Sequence, residues 1–271
     1  MTHAAMETRA QQAGGQPCGV DRGCRAISHA SNRLIVTIDG PAGTGKSSVA
    51  RDLARRLGLE FLDTGAMYRA ATALAIDHGI DLADGEAVAD LVREADLHFD
   101  WLSDPPALKA FGRSIMNRLR DADVAASVSP VSGLAEVRRV LVEKQRRIGE
   151  VHPRLVSEGR DQGSVVFRDA DVKLYLDASP RIRAERRAQQ LARMGAVHVD
   201  VDAIEREQRE RDERDSRRAV GPLIRPPDAV VVDTSAMDQS RVVDELERIV
   251  RSRAPAAAAL KQRAFSGSTA G

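Results

Sequence analysis

Short apolar runs rich in branched residues punctuate the chain at Leu34–Ile38, Leu59–Leu62, Leu155–Ser157, Val172–Leu176 and Ala229–Val232. They are nearly continuous rather than alternating, the pattern of strands covered on both faces in a parallel sheet. Helical patterns stand between them. Val49, Leu53 and Leu57 recur at i, i+4 spacing, and Gly58 is placed to end that helix. Ser179–Pro180 sets a polar cap before a first-turn proline and so opens a second helix. Asp238 caps a last one, with Val242, Val243, Leu246, Ile249 and Val250 as its buried stripe. Strands alternate with helices, so the expectation is an α/β fold.

The alternation breaks between about Asp81 and Pro130. This stretch reads as an insertion in the first half of the domain, with short helices and strands of its own. It includes a small hairpin, Leu97–Leu102 with Leu108–Phe111, around Asp104–Pro105–Pro106. The single tryptophan, Trp101, falls there and reads as packing. Residues 1–32 are rich in Ala, Gly, Gln and Ser without periodicity, the composition of a disordered extension, and 254–271 look similar. The folded domain is therefore expected over 33–253.

Composition narrows the class. With 42% hydrophobic and 30% charged positions, 271 residues are enough for a globular protein with a sizeable core. Lys plus Arg number 41 and Asp plus Glu 40, so the net charge of +1 gives no global case for nucleic acid. Cys18 and Cys24 both lie in the N-terminal tail, which leaves the core without a disulfide or thiolate metal site and suits the cytoplasm. No apolar run approaches the ~20 residues needed to cross a bilayer. The N-terminal tail does not read as a secretory signal either.

The candidate chemistry begins at Gly40-Pro41-Ala42-Gly43-Thr44-Gly45-Lys46-Ser47, followed by Ser48. This fits the glycine-rich phosphate loop G-x4-G-K-[ST], with a strand before it and a helix after it. The glycines let the backbone curl so that several N–H groups point at phosphates, and the following helix adds its positive end. Lys46 would reach the outer phosphates and the Ser47 hydroxyl would ligate Mg²⁺. The loop alone leaves several classes open. No guanine-reading Asn-Lys-x-Asp occurs, and the strand at 154–158 ends in Ser-Glu rather than the Asp-Glu of motor ATPases. Glu158 could face solvent or contact a metal-bound water.

Transferring a phosphoryl group to a phosphorylated acceptor brings two polyanions together, which calls for arginines on both sides and a cover that closes. Arg69 and Arg160 each follow a strand, and 206–218 (REQRERDERDSRR) is dense in arginine. The bland reading of that run is a solvated helix face with i,i+4 ion pairs. The functional reading gains because all of these fall at strand carboxyl ends, where ligands of such sheets gather.

The segments TIDGPAGTGKSSVARDLARRLGLEFLDTGAMYRA, EGRDQGSVVFRDADVKLYLDAS and RERDERDSRRAVGPL resemble bacterial cytidylate kinases (CMP/dCMP kinases) over about residues 33 to 252. The resemblance implies the P-loop nucleoside monophosphate kinase fold: a five-stranded parallel sheet flanked by helices, an acceptor-binding insertion at about 81–130 and a short lid at about 195–218. It implies a cytoplasmic monomer that transfers phosphate from ATP to CMP or dCMP with Mg²⁺ as cofactor, without nucleic-acid or membrane partners. Carried over by position, Thr64, Arg69 and Arg160 would hold the acceptor phosphate. Ser129, Arg138 and Asp161 would read cytosine. Arg211, Asp215 and Arg218 would contact sugar, base edge or phosphate as the lid closes. Arg183, Arg186 and Arg187 are candidates for the ATP side, with the inward-pointing member left open. Lys46, Arg160, Arg187 and Arg218 would carry the catalytic load, since such transfer rests on positioning and charge neutralisation.

The chain departs from the family pattern at Thr64, where Ser is usual, at Ala42, where Ser is frequent, and at Gln162, where Met is common, close enough to the acceptor to bear on specificity. Ser47 stands where some members have Gly. The rival readings are a kinase of the same fold for AMP, GMP, dTMP or shikimate, and a nucleotide-binding switch that transfers nothing.

Overall fold

The computed structural model describes residues 33–255, apart from 194 and 197. The expectations for residues 1–32, with both cysteines, and for 256–271 lie outside the described residues. All five apolar runs are strands: β1 (Leu34–Asp39), β2 (Glu60–Asp63), β6 (Arg154–Glu158), β7 (Val172–Asp177) and β8 (Val230–Asp233). They form one parallel sheet in the order β2-β6-β1-β7-β8. The strand that leads into the glycine-rich loop is thus central: the chain goes from it to β2 at one edge, returns through β6, and crosses over β1 to β7 and β8 on the other side. That is the switch point where ligands of open parallel sheets bind.

Alternation along the strands divides the core into two layers. Leu34, Val36 and Ile38 face α1 (Lys46–Leu57) and α8 (Gln239–Arg253), whose Val242, Val243, Leu246, Ile249 and Val250 are all buried as the periodicity predicts. Ile35, Leu62 and Leu155 face the other way, onto α2 (Thr64–Asp77) and α5 (Ala135–Val151). The Asp238 side chain accepts from Arg241 N at 2.9 Å and caps α8 as expected. Gly58 closes α1 in the left-handed conformation.

The insertion contains α3 (Gly85–Glu94), β3 (His98–Asp100), β4 (Ala107–Ala110), β5 (Arg113–Ser114) and α4 (Ala122–Val131). The expected hairpin is β3–β4, extended by β5 into a three-stranded antiparallel sheet. Its apolar residues Val88, Val92, Phe99, Leu108 and Val128 belong to the same cluster as Ile35 and Leu155 of the main sheet. The insertion therefore packs continuously onto the main core. Trp101 stacks between Phe99 and His152, as a packing residue should. Past β7, α6 (Pro180–Arg193) packs on α7 (Val201–Ser216), which lies within the stretch expected as a lid.

Candidate active site

The donor loop sits on the carboxyl end of β1. Gly40 adopts φ +149°, and a Cβ there would fall 2.1 Å from the Leu176 carbonyl oxygen of the neighbouring strand, so no larger residue fits. Gly45, at φ 86°, caps α1 without any side chain on the first-turn N–H groups. Those N–H groups and the helix dipole are what a phosphate needs. Lys46 is buried and curls back, donating to Pro41 O at 2.5 Å and Thr44 Oγ1 at 3.3 Å. Burial lowers its ammonium to about 7; Arg160 adds repulsion, and Glu158 and Asp212 oppose both.

Two carboxylates flank this loop at the ends of β6 and β1. Glu158 is buried and accepts from the Ser47 hydroxyl at 2.7 Å, which removes the solvent-facing reading. Burial pushes its carboxyl up to about 7, and Asp63 at the end of β2 pushes in the same direction. Asp39 accepts from Gln162 N at 2.8 Å and Gly163 N at 2.7 Å, and burial raises it to about 6.

Across from this loop, four guanidinium groups converge from α2, the turn after β6, and α7 with its end. Arg69 of α2 leans on Asp63 at 3.1 Å. Arg160, after β6, donates to Asp215 at 3.1 Å, and Arg218 pairs with the same buried carboxylate. Arg211 of α7 makes no ion pair among the described residues, and its buried Nε lacks a hydrogen-bond partner. Burial first, then repulsion from Arg160, Arg69 and Arg218, brings Arg211 down to about 10. Cations crowded this closely are stabilised by an anion, and the several acceptor oxygens of a phosphate suit guanidinium donors. Thr64, buried at the start of α2, donates to Glu158 O at 2.7 Å and so fastens this wall to the donor side.

Beside the arginines is a cluster of buried polar side chains. Arg138 is 2% exposed and pairs with Asp161, donates to Ser132 O at 3.1 Å and lies over the Tyr68 ring at 5.3 Å. Burial raises the Asp161 carboxyl, while Arg138 and Arg218 pull it down. Ser129, half-buried on α4, has its carbonyl 3.4 Å from Arg218 Nη2. Arg218 also donates to Ser132 Oγ at 2.8 Å, so the end of α7 is tied to the insertion.

The match to the cytidylate kinase family model spans residues 36–252. The chain belongs to the cytidylate kinase family. It is 44% identical to a cytidylate kinase of Mycolicibacterium paratuberculosis over 227 residues, covering 84% of this chain and 99% of that protein. It is 46% identical to one of Nocardia farcinica, covering 80% of this chain and 93% of its relative. A cytidylate kinase of Solibacter usitatus is 40% identical over 82% of this chain and 94% of its own length.

The arrangement separates the candidates that the family pattern left together. Arg183 is buried on the donor loop, donating to Ala42 O at 2.8 Å and pairing with Asp212. Arg186 turns instead to Thr234 Oγ1 at 2.9 Å and Met237 O at 3.0 Å. Arg187 is exposed on Gln190. The assignments of Arg186 to ATP and of Arg187 to catalysis are thus corrected: the turn after β8 holds the first, and the second points to solvent one helical turn beyond the loop. Ser48 is exposed on α1. Gln162 is fully buried, its amide held by Ser157 at 2.8 Å and Gln145 at 3.3 Å, so its side chain supports the turn from within the core.

Sequence reasoning missed Asp39, Asp63 and Asp212. Asp212 lies one residue after Arg211 in the acidic–basic run, and it accepts from Ala42 N at 3.0 Å while holding Arg183. The bland reading of that run holds for Arg209 with Glu205 and Arg217 with Glu213, which are surface i,i+4 pairs. It fails for Arg211, Asp212, Asp215 and Arg218, which face inward.

Proposed function

We propose that the chain transfers the γ-phosphoryl group of ATP to CMP or dCMP, giving ADP and CDP or dCDP. The observation that carries this reading is the convergence of Arg69, Arg160, Arg211 and Arg218 beside Lys46, with Arg211 in no ion pair among the described residues. A nucleotide switch needs no second anion site. A kinase with a phosphorylated acceptor does.

ATP phosphates would lie within the 40–48 loop on the N–H groups that remain after Pro41, which has none, and Ala42, which gives its own to Asp212, together with Lys46, and Arg183 would brace the loop from the lid side. The acceptor phosphate would displace the carboxylate contacts of Arg160 and Arg69 and take up Arg211 and Arg218. Thr64 would join them at the phosphate, and Ser129, Arg138, Asp161 and Asp215 would orient the rest of the acceptor. Cytosine presents an amine next to a ring-nitrogen and a carbonyl acceptor, so Asp161 accepts from the first and Arg138 and Ser129 donate to the others. Uracil reverses part of that pattern and leaves groups unpaired, at roughly 1–3 kcal/mol each. In this reading the insertion at 81–130 holds the acceptor, the 195–218 segment closes over it, and the enzyme acts as a cytosolic monomer. Among the described residues no helix is long and apolar enough to cross a membrane.

The residues fit Mg²⁺. Ser47 and Glu158 are hard oxygen donors 2.7 Å apart, and no group of three or more ligating side chains gathers among the described residues. That suits an ion that keeps most of its waters and phosphate oxygens. When bound, Mg²⁺ supplies neutralisation of the transferring phosphate. ADP release should be measured with CMP, dCMP, UMP, AMP and GMP as acceptors. Turnover is expected for the cytidine nucleotides first, and faster turnover of AMP or GMP contradicts the reading.

A further inference from the structure

Asp39 is a buried carboxylate that the phosphoryl transfer does not use. It is the last residue of the central strand and immediately precedes the donor loop. The ladder between β1 and β6 runs to Ile38 opposite Glu158 and ends with Gly159 N donating to Ile38 O at 3.0 Å. There the two chains would separate. Instead, both oxygens of the Asp39 side chain accept the N–H groups of Gln162 and Gly163, at 2.8 and 2.7 Å. Arg160 and Asp161 form the two-residue arch between these fastenings. One points to the guanidinium cluster through Asp215, the other to Arg138 in the base pocket.

We propose that Asp39 is a positioning residue, clamping the arch that carries Arg160 and Asp161 to the root of the donor loop so that acceptor phosphate and acceptor base are set relative to the transferred phosphate. Asp161 O accepts from Val165 N and Val166 N at 2.9 and 3.2 Å, which ties the far end of the arch to the turn that follows it; Asp39 is what ties that end to β1. Asp39 is 1% exposed, which shields its hydrogen bonds from water. A carboxylate serves here because both of its oxygens accept. An amide would have to turn its NH₂ toward one of the two N–H donors.

This inference rests on the proposed kinase activity, and the test separates the two. Steady-state constants for CMP and ATP are measured for the wild type, Asp39→Asn and Asp39→Ala, with thermal melting of each. If the wild type prefers another acceptor, that acceptor replaces CMP, so the proposed substrate can fail while the clamp is still tested. In Asp39→Asn, kcat/KM for the acceptor should fall by about 10- to 100-fold, since small misplacement of reacting groups has costs of that order. The KM for ATP should stay within about threefold and discrimination between CMP and UMP should weaken, because Asp161 loses its setting. In double-mutant cycles, Asp39→Asn should couple to Arg160→Ala and not to Arg183→Ala. Equal loss on both substrates, or a lower melting temperature with unchanged acceptor constants, overturns the proposal. Amide exchange on the wild type provides a check free of folding failures: Gln162 and Gly163 N–H groups should exchange as slowly as those of β1, and rapid exchange contradicts the clamp.

Discussion

The Ser47 hydroxyl donates to Oε1 of Glu158 across 2.7 Å, joining the first turn of α1 to the end of β6. This bond places the hydroxyl proposed to ligate Mg²⁺ against a buried carboxylate whose pKa desolvation raises to about 7. Glu158→Gln should keep the shape and remove the charge that orients Ser47 and a metal-bound water. The predicted result is a 10- to 100-fold higher Mg²⁺ requirement or an equivalent loss in kcat, the usual range for such supporting contacts. Titrating activity against Mg²⁺ at fixed ATP checks it, and an unchanged Mg²⁺ dependence contradicts it.

Lys46 makes a pH prediction with a definite sign. Its folded value of about 7 lies below the ordinary 10.5, so the free protein sheds this proton where an unfolded chain retains it. Bound phosphates restore the charge. ATP binding without Mg²⁺ near pH 8 should therefore take up about one proton, and the uptake should vanish near pH 6, where Lys46 is already charged. Calorimetry in two buffers of different ionisation enthalpy reads this directly; proton release at pH 8 refutes it.

In the proposed site, Arg160→Ala would remove a charge-assisted contact to the acceptor, and it leaves Asp215 to Arg218 alone. A loss of about 1.5–3 kcal/mol in acceptor binding, roughly 10- to 150-fold in KM for CMP, is expected. The ATP dissociation constant should barely change. Equal loss of both would place Arg160 on the donor side.

Asp161→Ala leaves Arg138 buried with its main partner gone, so stability should fall by about 3–5 kcal/mol. Arg138→Met with Asp161→Ala should recover part of that, because the uncompensated charge is gone, while discrimination between CMP and UMP stays lost. Denaturant melts and paired acceptor assays separate the two effects.

The fold was legible from its hydrophobic pattern because a doubly covered sheet needs continuous apolar strands, and all five runs are strands. The donor loop was legible because its chemistry is local, with each glycine demanded by the backbone. What escaped is set by how separate segments meet. Asp39, Asp63 and Asp212 are ordinary carboxylates in sequence, and only the sheet order and the packing of α7 on the loop turn them inward. Arg183, Arg186 and Arg187 share one helix, and no spacing rule tells which residue reaches Ala42 and which is taken by Thr234. The substitution Gln162 looked close to the acceptor along the chain. Its side chain goes down into the core through Ser157 and Gln145 because the N–H groups of 162 and 163 are held by Asp39.

The central claim is that Lys46 and the arginine cluster form the two halves of one transfer site for a cytidine nucleotide. Incubating the protein with Mg²⁺, ATP labelled in the γ-phosphate and an equimolar mixture of CMP, UMP, AMP and GMP tests it most directly. The label should appear in CDP well ahead of the other diphosphates. Label in ADP or GDP first, or only in inorganic phosphate, would contradict it.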